Sequence, residues 1–319
     1  MLPKSLFRKG LFLAPMANYS DMGMRRISFD YGAGYTFTEM VSAHEIVKSS
    51  DLKFRELDSF DAEVPTGIQI ITPSQEMLGK AILKIKNEKN PPLSNISSIC
   101  LNLGCPRVRN SGSFLLEKID VIEDLFRAMK SSSDIPVCAK IRLAGNFEHL
   151  AEKPYLRIAH LADKYLDFLI VHGRTRAQMY SGSVDLASIK EIKDAVSIPV
   201  VGNGDIMKPS EAKKMFDETG CDAVMVGRAA IRRPFIFKEI GYYLKNGKEL
   251  DIDEKGERLK CSIEYLKIGE KMNYSVFQTR IHLQGFLKGS FKLLNERITR
   301  EKTVEGMKGL VIAEYNSYF

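Results

Sequence analysis

"PVVGNGDIMKPSEAKKMFDETGCDAVMVGR" (residues 199–228) holds one complete structural repeat. Two apolar runs, each closed by a glycine turn, flank a charged stretch of helical spacing from Pro209 to Thr219. The runs are continuous rather than alternating, the pattern of strands buried on both faces of a parallel sheet. Six more runs of this kind come earlier: "LFLAPM" (11–16), "YTFTEM" (35–40), "TGIQII" (66–71), "SICLN" (98–102), "PVCAKIR" (136–142) and "DFLIVHG" (167–173). Helical spacing recurs between them, as in "VIEDLFRAMKSSS" (121–133) and "LASIKEIKDAV" (186–196). Eight strand–helix alternations predict an α/β protein built as a (β/α)8 or TIM barrel, a fold of about 250 residues. A doubly wound parallel sheet is the structural alternative.

After Pro234 the strand-like runs stop. From residue 241 to 319 the segments "KGERLKCSIEYLKIGEKM", "VFQTRIHLQGFLKGSFKLLNERI" and "TVEGMKGLVIAEY" read as helices. This tail has 14 Lys/Arg against 11 Asp/Glu and is therefore mildly basic. The expected organisation is a barrel over 1–240 and a small all-helical domain over 241–319.

The chain has 319 residues, 44% of them apolar, enough to bury a large core, and its net charge of +7 favours a polyanionic partner. Its five cysteines are scattered, with no CxxC and no Cys/His cluster of zinc spacing. Free thiols in a reducing cytoplasm are expected, without a metal. "MLPKSLFRKG" lacks the apolar run of a signal peptide, and no stretch nears the ~18 apolar residues of a membrane span. A soluble cytoplasmic monomer is the expectation.

Polar residues and glycines gather where each apolar run ends: Pro15-Met16-Ala17, Glu39, Gln69, Asn102 with Cys105, Lys140 with Arg142, His172 with Arg174, Asn203-Gly204-Asp205, and Gly227-Arg228. In a barrel these ends form one face, the face where active sites sit. The glycine turns after the last two strands suit phosphate, because loops there and helix starts present backbone N–H groups. Two ordinary turns are the plainer reading. No GxGxxG is present, which argues against a built-in dinucleotide fold. Lys140 would be costly at a barrel mouth unless paired, so it either forms a Schiff base or binds an anionic cofactor edge. His172 is either a satisfied structural residue or a site residue. Cys105 is either a small turn residue or a presented thiol, a proton donor or nucleophile. In "QTRIHLQGFLKGS" (278–290), Arg280, His282 and Lys288 form a solvated helix face or a surface for phosphates.

Together "APMANYSDMGMR", "LNLGCP", "PVCAKIRL", "VHGRTRAQMYSG", "IPVVGNGDI", "GCDAVMVGRAAIRRPFIF" and "RIHLQGFLKG" follow the order of motifs in the tRNA-dihydrouridine synthases. The chain resembles that family of flavin-dependent barrels over roughly residues 11–290. The resemblance implies FMN at the barrel mouth and NADPH (or NADH) as reductant. By the same resemblance Pro15, Met16, Ala17 and Gln69 would touch the isoalloxazine ring, with Lys140 at its N1/O2 edge and His172 close by. Asn203, Gly204, Asp205, Gly227 and Arg228 would hold ribityl and phosphate. Cys105 matches the catalytic cysteine. Asn102, Arg142 and Tyr180 match positions that hold the target uracil, and Arg280, His282 and Lys288 would grip tRNA. This chain departs from the family in Asn18, in Arg232-Arg233, and in the short "RVRNSGSFLL" after the cysteine.

The chemistry so implied is conjugate reduction of uridine. Hydride from reduced flavin N5 goes to C6, the electrophilic end of C5=C6, and the enolate is protonated at C5. A thiol of ordinary pKa, about 8.5, carries a proton at neutral pH, so Cys105 is expected to supply it. Arg142 and Lys140 would offset negative charge. A uridine inside folded tRNA would have to be flipped into the pocket. The alternative function is a flavin-dependent reductase or dehydrogenase of a free pyrimidine, resembling dihydroorotate dehydrogenase, which would have no use for the basic helical tail.

Overall fold

The computed structural model describes residues 10–50, 63–88 and 96–319. The N-terminal decapeptide, expected to carry no leader, lies outside the described residues apart from Gly10. All eight anticipated runs are strands: β1 (Leu11–Leu13), β2 (Thr36–Ser42), β3 (Thr66–Ile71), β4 (Ile96–Leu103), β5 (Val137–Arg142), β6 (Phe168–His172), β7 (Val200–Asn203) and β8 (Ala223–Val226). They pair in parallel in the order β1-β8-β7-β6-β5-β4-β3-β2. The ring closes where Phe12 bridges Tyr35, with Leu13 N donating to Tyr35 O at 2.9 Å. Closure removes both sheet edges and makes this a barrel, not a doubly wound sheet.

Helices α1 (Met22–Asp30), α2 (Ala43–Lys48), α3 (Gln75–Asn87), α4 (Ile119–Ser132), α5 (Phe147–Ala151), α6 (Pro154–Tyr165), α7 (Leu186–Ala195), α8 (Pro209–Thr219), α9 (Arg228–Arg232) and α10 (Ile236–Asn246) belong to the barrel part. Their ends follow local chemistry. Helix α8 starts with Pro209 in its first turn and stops at Gly220, whose φ of 67° suits a residue without Cβ. Asp185 caps α7 by accepting from Ser188 N at 3.0 Å.

The barrel interior is aromatic. Phe12, Tyr35, Phe37 and Phe168 pack ring on ring, and Tyr35 satisfies its hydroxyl on Ser98 Oγ at 2.7 Å. Cys100 and Cys138, register neighbours on β4 and β5, fill the remaining space, and burial pushes the Cys138 thiol pKa up. This packed floor forces any ligand to the strand ends.

The tail folds as α11 (Glu254–Met272), α12 (Val276–Leu287), α13 (Lys292–Arg300) and α14 (Val304–Tyr318). It has its own core, built on Leu259, Leu266, Leu283, Leu287, Leu294, Ile298 and Met307. The expected division at 240/241 falls inside α10, which packs on barrel helix α8 and ends at Gly247 with φ 69°. The stretch from Val276 to Ile298, read as one helical segment, is two helices, because Gly289 turns the chain at φ 86°. Helix α12 reaches α9 at Gly285, where a Cβ would stand 2.9 Å from Ile231 O. Among the described residues no helix is long and apolar enough to cross a membrane.

Candidate active site

The C-terminal strand ends open into two connected hollows. One, of about 100 Å³, is lined by Asn203, Gly204, Asp205 and Gly227 below β7 and β8. The other, of about 460 Å³, is lined by Ala17, Gln69, Asn102, Cys105 and Arg142. Pro15, Met16, Lys140, His172, Tyr180 and Arg228 line both, so the hollows form one cleft. Every barrel residue given a catalytic, cofactor or base-holding role thus lines this cleft, whereas Glu39 and Arg174, also named at strand ends, do not.

The cysteine turn is built locally. Asn102, the penultimate residue of β4, accepts from Gly104 N at 2.9 Å and Cys105 N at 2.8 Å through Oδ1. This is an Asx-type turn, in which the side chain replaces a backbone acceptor. Its amide donates to Gln69 Oε1 at 2.7 Å, and Gln69 Nε2 lies 3.9 Å from Cys100 Sγ. Asn102, expected to hold a base, lines the cleft with its Oδ1 shaping the turn and its Nδ2 on Gln69. The short segment after Cys105 loops back to it. Ser113 N and Oγ both donate to Cys105 O, at 3.0 and 2.9 Å. Gly112 permits this at φ 56°, since a Cβ there would sit 2.6 Å from that carbonyl. The backbone of half-buried Cys105 is therefore held from both sides.

Cations dominate the cleft. Lys140 Nζ donates to Asn203 Oδ1 at 2.9 Å, and Asn203 Nδ2 donates to Met225 O at 2.8 Å. Burial, then the charge of Arg142, lowers the Lys140 pKa to about 8. Burial, then Lys140, Arg142, Arg174 and Arg228, lowers the His172 pKa to about 2, so its imidazole stays neutral. Arg142 donates Nε to Gly104 O at 3.0 Å and NH1 to Thr175 O and Met179 O, at 2.8 and 3.0 Å, which ties the β4 turn to the loop after β6.

Asp205 organises the far side. Its carboxylate takes Arg174 in a two-point bond, at 2.8 and 2.5 Å, and Arg228 NH2 at 2.9 Å. Burial alone would raise its pKa, but Arg174 and then Arg228 hold it below the usual carboxylate value. Asp205, expected at the ribityl and phosphate end of the site, lines the smaller hollow, and its side chain is occupied by two arginines. Tyr180 lies beside them, 58% exposed, with Arg228 Cζ 4.7 Å and Arg142 Cζ 6.0 Å from its ring centre.

The tail residues divide. Lys288 lines a groove of about 490 Å³ with Tyr19, Arg228, Ile231, Arg232 and Gln284, continuous with the cleft through Tyr19, Arg228 and Ile231. Arg280 and His282 do not reach it. Arg280 donates to Glu301 O within the helical domain, and His282 is 1% exposed against the barrel. Both were expected as surface cations; His282 lies instead on the packed face of α12, and Arg280, two residues away on another side of the helix, is half-buried with its guanidinium on the Glu301 carbonyl.

Sequence reasoning gave no role to Arg174, Glu39, Gly112 or the cleft-lining Arg107. Arg174, two residues past His172, was visible at a strand end, as was Glu39, which accepts from Asn18 N at 2.6 Å.

Fold and cleft define a (β/α)8-barrel enzyme with a cationic, thiol-bearing mouth and a helical domain at its rim. A sequence model described as dihydrouridine synthase matches residues 12–310. The chain is 35% identical over 261 residues to tRNA-dihydrouridine synthase B of Shewanella oneidensis, covering 80% of this chain and 78% of that one. It is 37% identical over 254 residues to the Vibrio vulnificus protein of the same name, covering 76% of each. A solved 2-naphthoyl-CoA reductase shares the fold at a TM-score of 0.56 and 10% identity, over 75% of this chain and half of that one. The chain belongs to the dihydrouridine synthase family and is an oxidoreductase.

Proposed function

We propose that the chain is a tRNA-dihydrouridine synthase that holds FMN at the barrel mouth, is reduced by NADPH or NADH, and works in the cytoplasm. The observation that carries this is a cysteine whose backbone is fixed in a cleft lined by a cluster of cations. The donor set suits a flavin phosphate. Asn203, Asp205 and the turns at Gly204 and Gly227 line the smaller hollow with Arg228 at its edge, and Lys140, beside Asn203, would meet the N1/O2 edge of the ring. Pro15, Met16, Ala17 and Gln69 would flank the ring, with neutral His172 close by.

Bound FMN, once reduced, supplies hydride for uridine C6. Cys105 holds the proton for C5, and Asn102 with Ser113 holds Cys105. Arg142, already fixed by three carbonyls, offsets negative charge developing at the pyrimidine oxygens. Exposed Tyr180 offers a flat face to a flipped base. The groove bearing Arg228, Arg232 and Lys288 carries no carboxylate along its lining, which suits an RNA backbone. The direct test maps dihydrouridine in tRNA from cells with and without the protein. Defined positions should revert to uridine when it is lost; an unchanged map would overturn the reading.

Lys140 makes the cofactor step pH-dependent. Its lowered pKa means the folded, ligand-free protein sheds this charge near pH 8, well before an unfolded lysine near 10.4 would. FMN affinity, read by fluorescence titration, is expected to fall as pH rises through about 8. Lys140→Gln should bind more weakly and lack that inflection. A wild-type affinity flat from pH 7 to 9 would remove Lys140 from the cofactor edge.

A further inference from the structure

The turn after β1 forms one wall of the cleft, and part of the helical domain holds it. Tyr19 N and Ser20 N both donate to Met16 O, at 2.9 and 3.0 Å, which makes Met16–Ser20 a compact turn. Asn18 sits at φ 66° and is tied to Glu39. The Tyr19 carbonyl faces His282 Nε2 at 3.2 Å, across 263 residues of sequence.

His282 is unlike a general packing residue. Its Nδ1 faces Gln278 O at 3.0 Å. The ring thus spans a carbonyl of its own helix and the carbonyl at the end of the cleft turn. The buried Asp21 carboxylate lies 3.5 Å from Nε2. Asp21 is itself fixed by Tyr265 OH at 2.6 Å, Gln278 Nε2 at 2.8 Å and Met24 N at 3.0 Å. Tyr265 stacks on the imidazole at 4.3 Å and 17°, which sets the ring plane. Arg25, the nearby cation on α1, donates to Ser20 O at 2.7 Å at the end of the same turn.

We propose that His282 is a positioning residue, through which the helical domain sets the Met16–Ser20 turn and so the cleft wall, and that it does not touch RNA. A helical domain that only gripped a substrate would not need a buried bond into the mouth. The inference uses the proposed function only for what the cleft binds; the tie itself is independent of that reading.

The test is hydrogen exchange on the full-length protein, comparing wild type, His282→Leu and His282→Gln. In His282→Leu the amides of residues 16–20 are expected to exchange at least tenfold faster, with Leu283 to Leu287 in α12 still protected. His282→Gln, which can still donate to the Tyr19 carbonyl, should recover part of the protection. FMN affinity, read by fluorescence, should fall several-fold in His282→Leu and partly return in His282→Gln. Unchanged exchange at 16–20 would overturn the proposal. So would loss of protection spread equally through α11–α14, which is general loosening, or weaker tRNA binding with exchange and FMN affinity intact, which is a direct RNA contact. If dihydrouridine formation were absent from wild type, the exchange result would still stand, so the two failures are distinguishable.

Discussion

Cys105→Ala is expected to lower dihydrouridine formation in tRNA by about 10²- to 10⁴-fold, the usual range for a lost general acid. Flavin reduction by NADPH should persist, because Cys105 lines the larger hollow and not the smaller one at Gly204 and Gly227. The fold should also persist. The turn is held by the side chain of Asn102 and the backbone carbonyl of Cys105, neither of which changes. The measurement separates the half-reactions: stopped-flow reduction of the flavin, then single-turnover oxidation by tRNA. A loss confined to the second step places the thiol at the base. Product at the wild-type rate would remove it from the proton transfer. Cys105→Ser would then rank the acid itself, since a hydroxyl keeps the geometry but gives up its proton far less readily.

What was legible in the chain follows from the range of each interaction. The strands announced themselves because a barrel strand buried on both faces needs an unbroken apolar run, as in "FLIVH" and "AVMV". Their polar ends pointed to the mouth for the same reason. The Asx turn at Asn102 spans three residues and could have been read from "NLGC". The break at Gly289 could have been read from "KGS". Other features needed coordinates. His282 looked like a surface cation because helical spacing does not say which face is covered, and its partner Tyr19 lies at the other end of the chain. The bond between Asp205 and Arg174 could not be read either, because Arg174, 31 positions earlier, carries no local mark of being its counter-charge. The cofactor wall was thus visible as a set of positions, whereas the pairing that orients it was not.

Asp205→Asn tests that pairing and should be among the most destabilising single changes at the mouth. Arg174 is 1% exposed and makes a two-point bond to Asp205, whose side chain is 32% exposed. Removing one partner of a buried pair costs about 3–5 kcal/mol, because the remaining charge is left in a poorly solvated site. The partial exposure of Asp205 puts the expected loss near the lower end, about 3 kcal/mol by urea unfolding. Asparagine keeps the shape and tolerates the φ of 51° at this position, so the loss reports charge and donor–donor conflict rather than backbone strain. Val184 N also donates to Asp205 Oδ2, at 3.1 Å, so the loop after β6 should loosen with the pair. The sign of the pH dependence follows from the lowered pKa. The ionised Asp205 contributes stability above the ordinary carboxylate value, near 3.9, and that contribution disappears as pH falls through its lower folded value. The gap between wild type and variant should therefore close in acid. Asp194→Asn is the matched control: its bond to Lys190 lies on the exposed face of α7, where such pairs are worth less than about 1 kcal/mol. A cost for Asp205→Asn no larger than that of the control would mean that the Ser181 and Gly182 carbonyls alone satisfy Arg174.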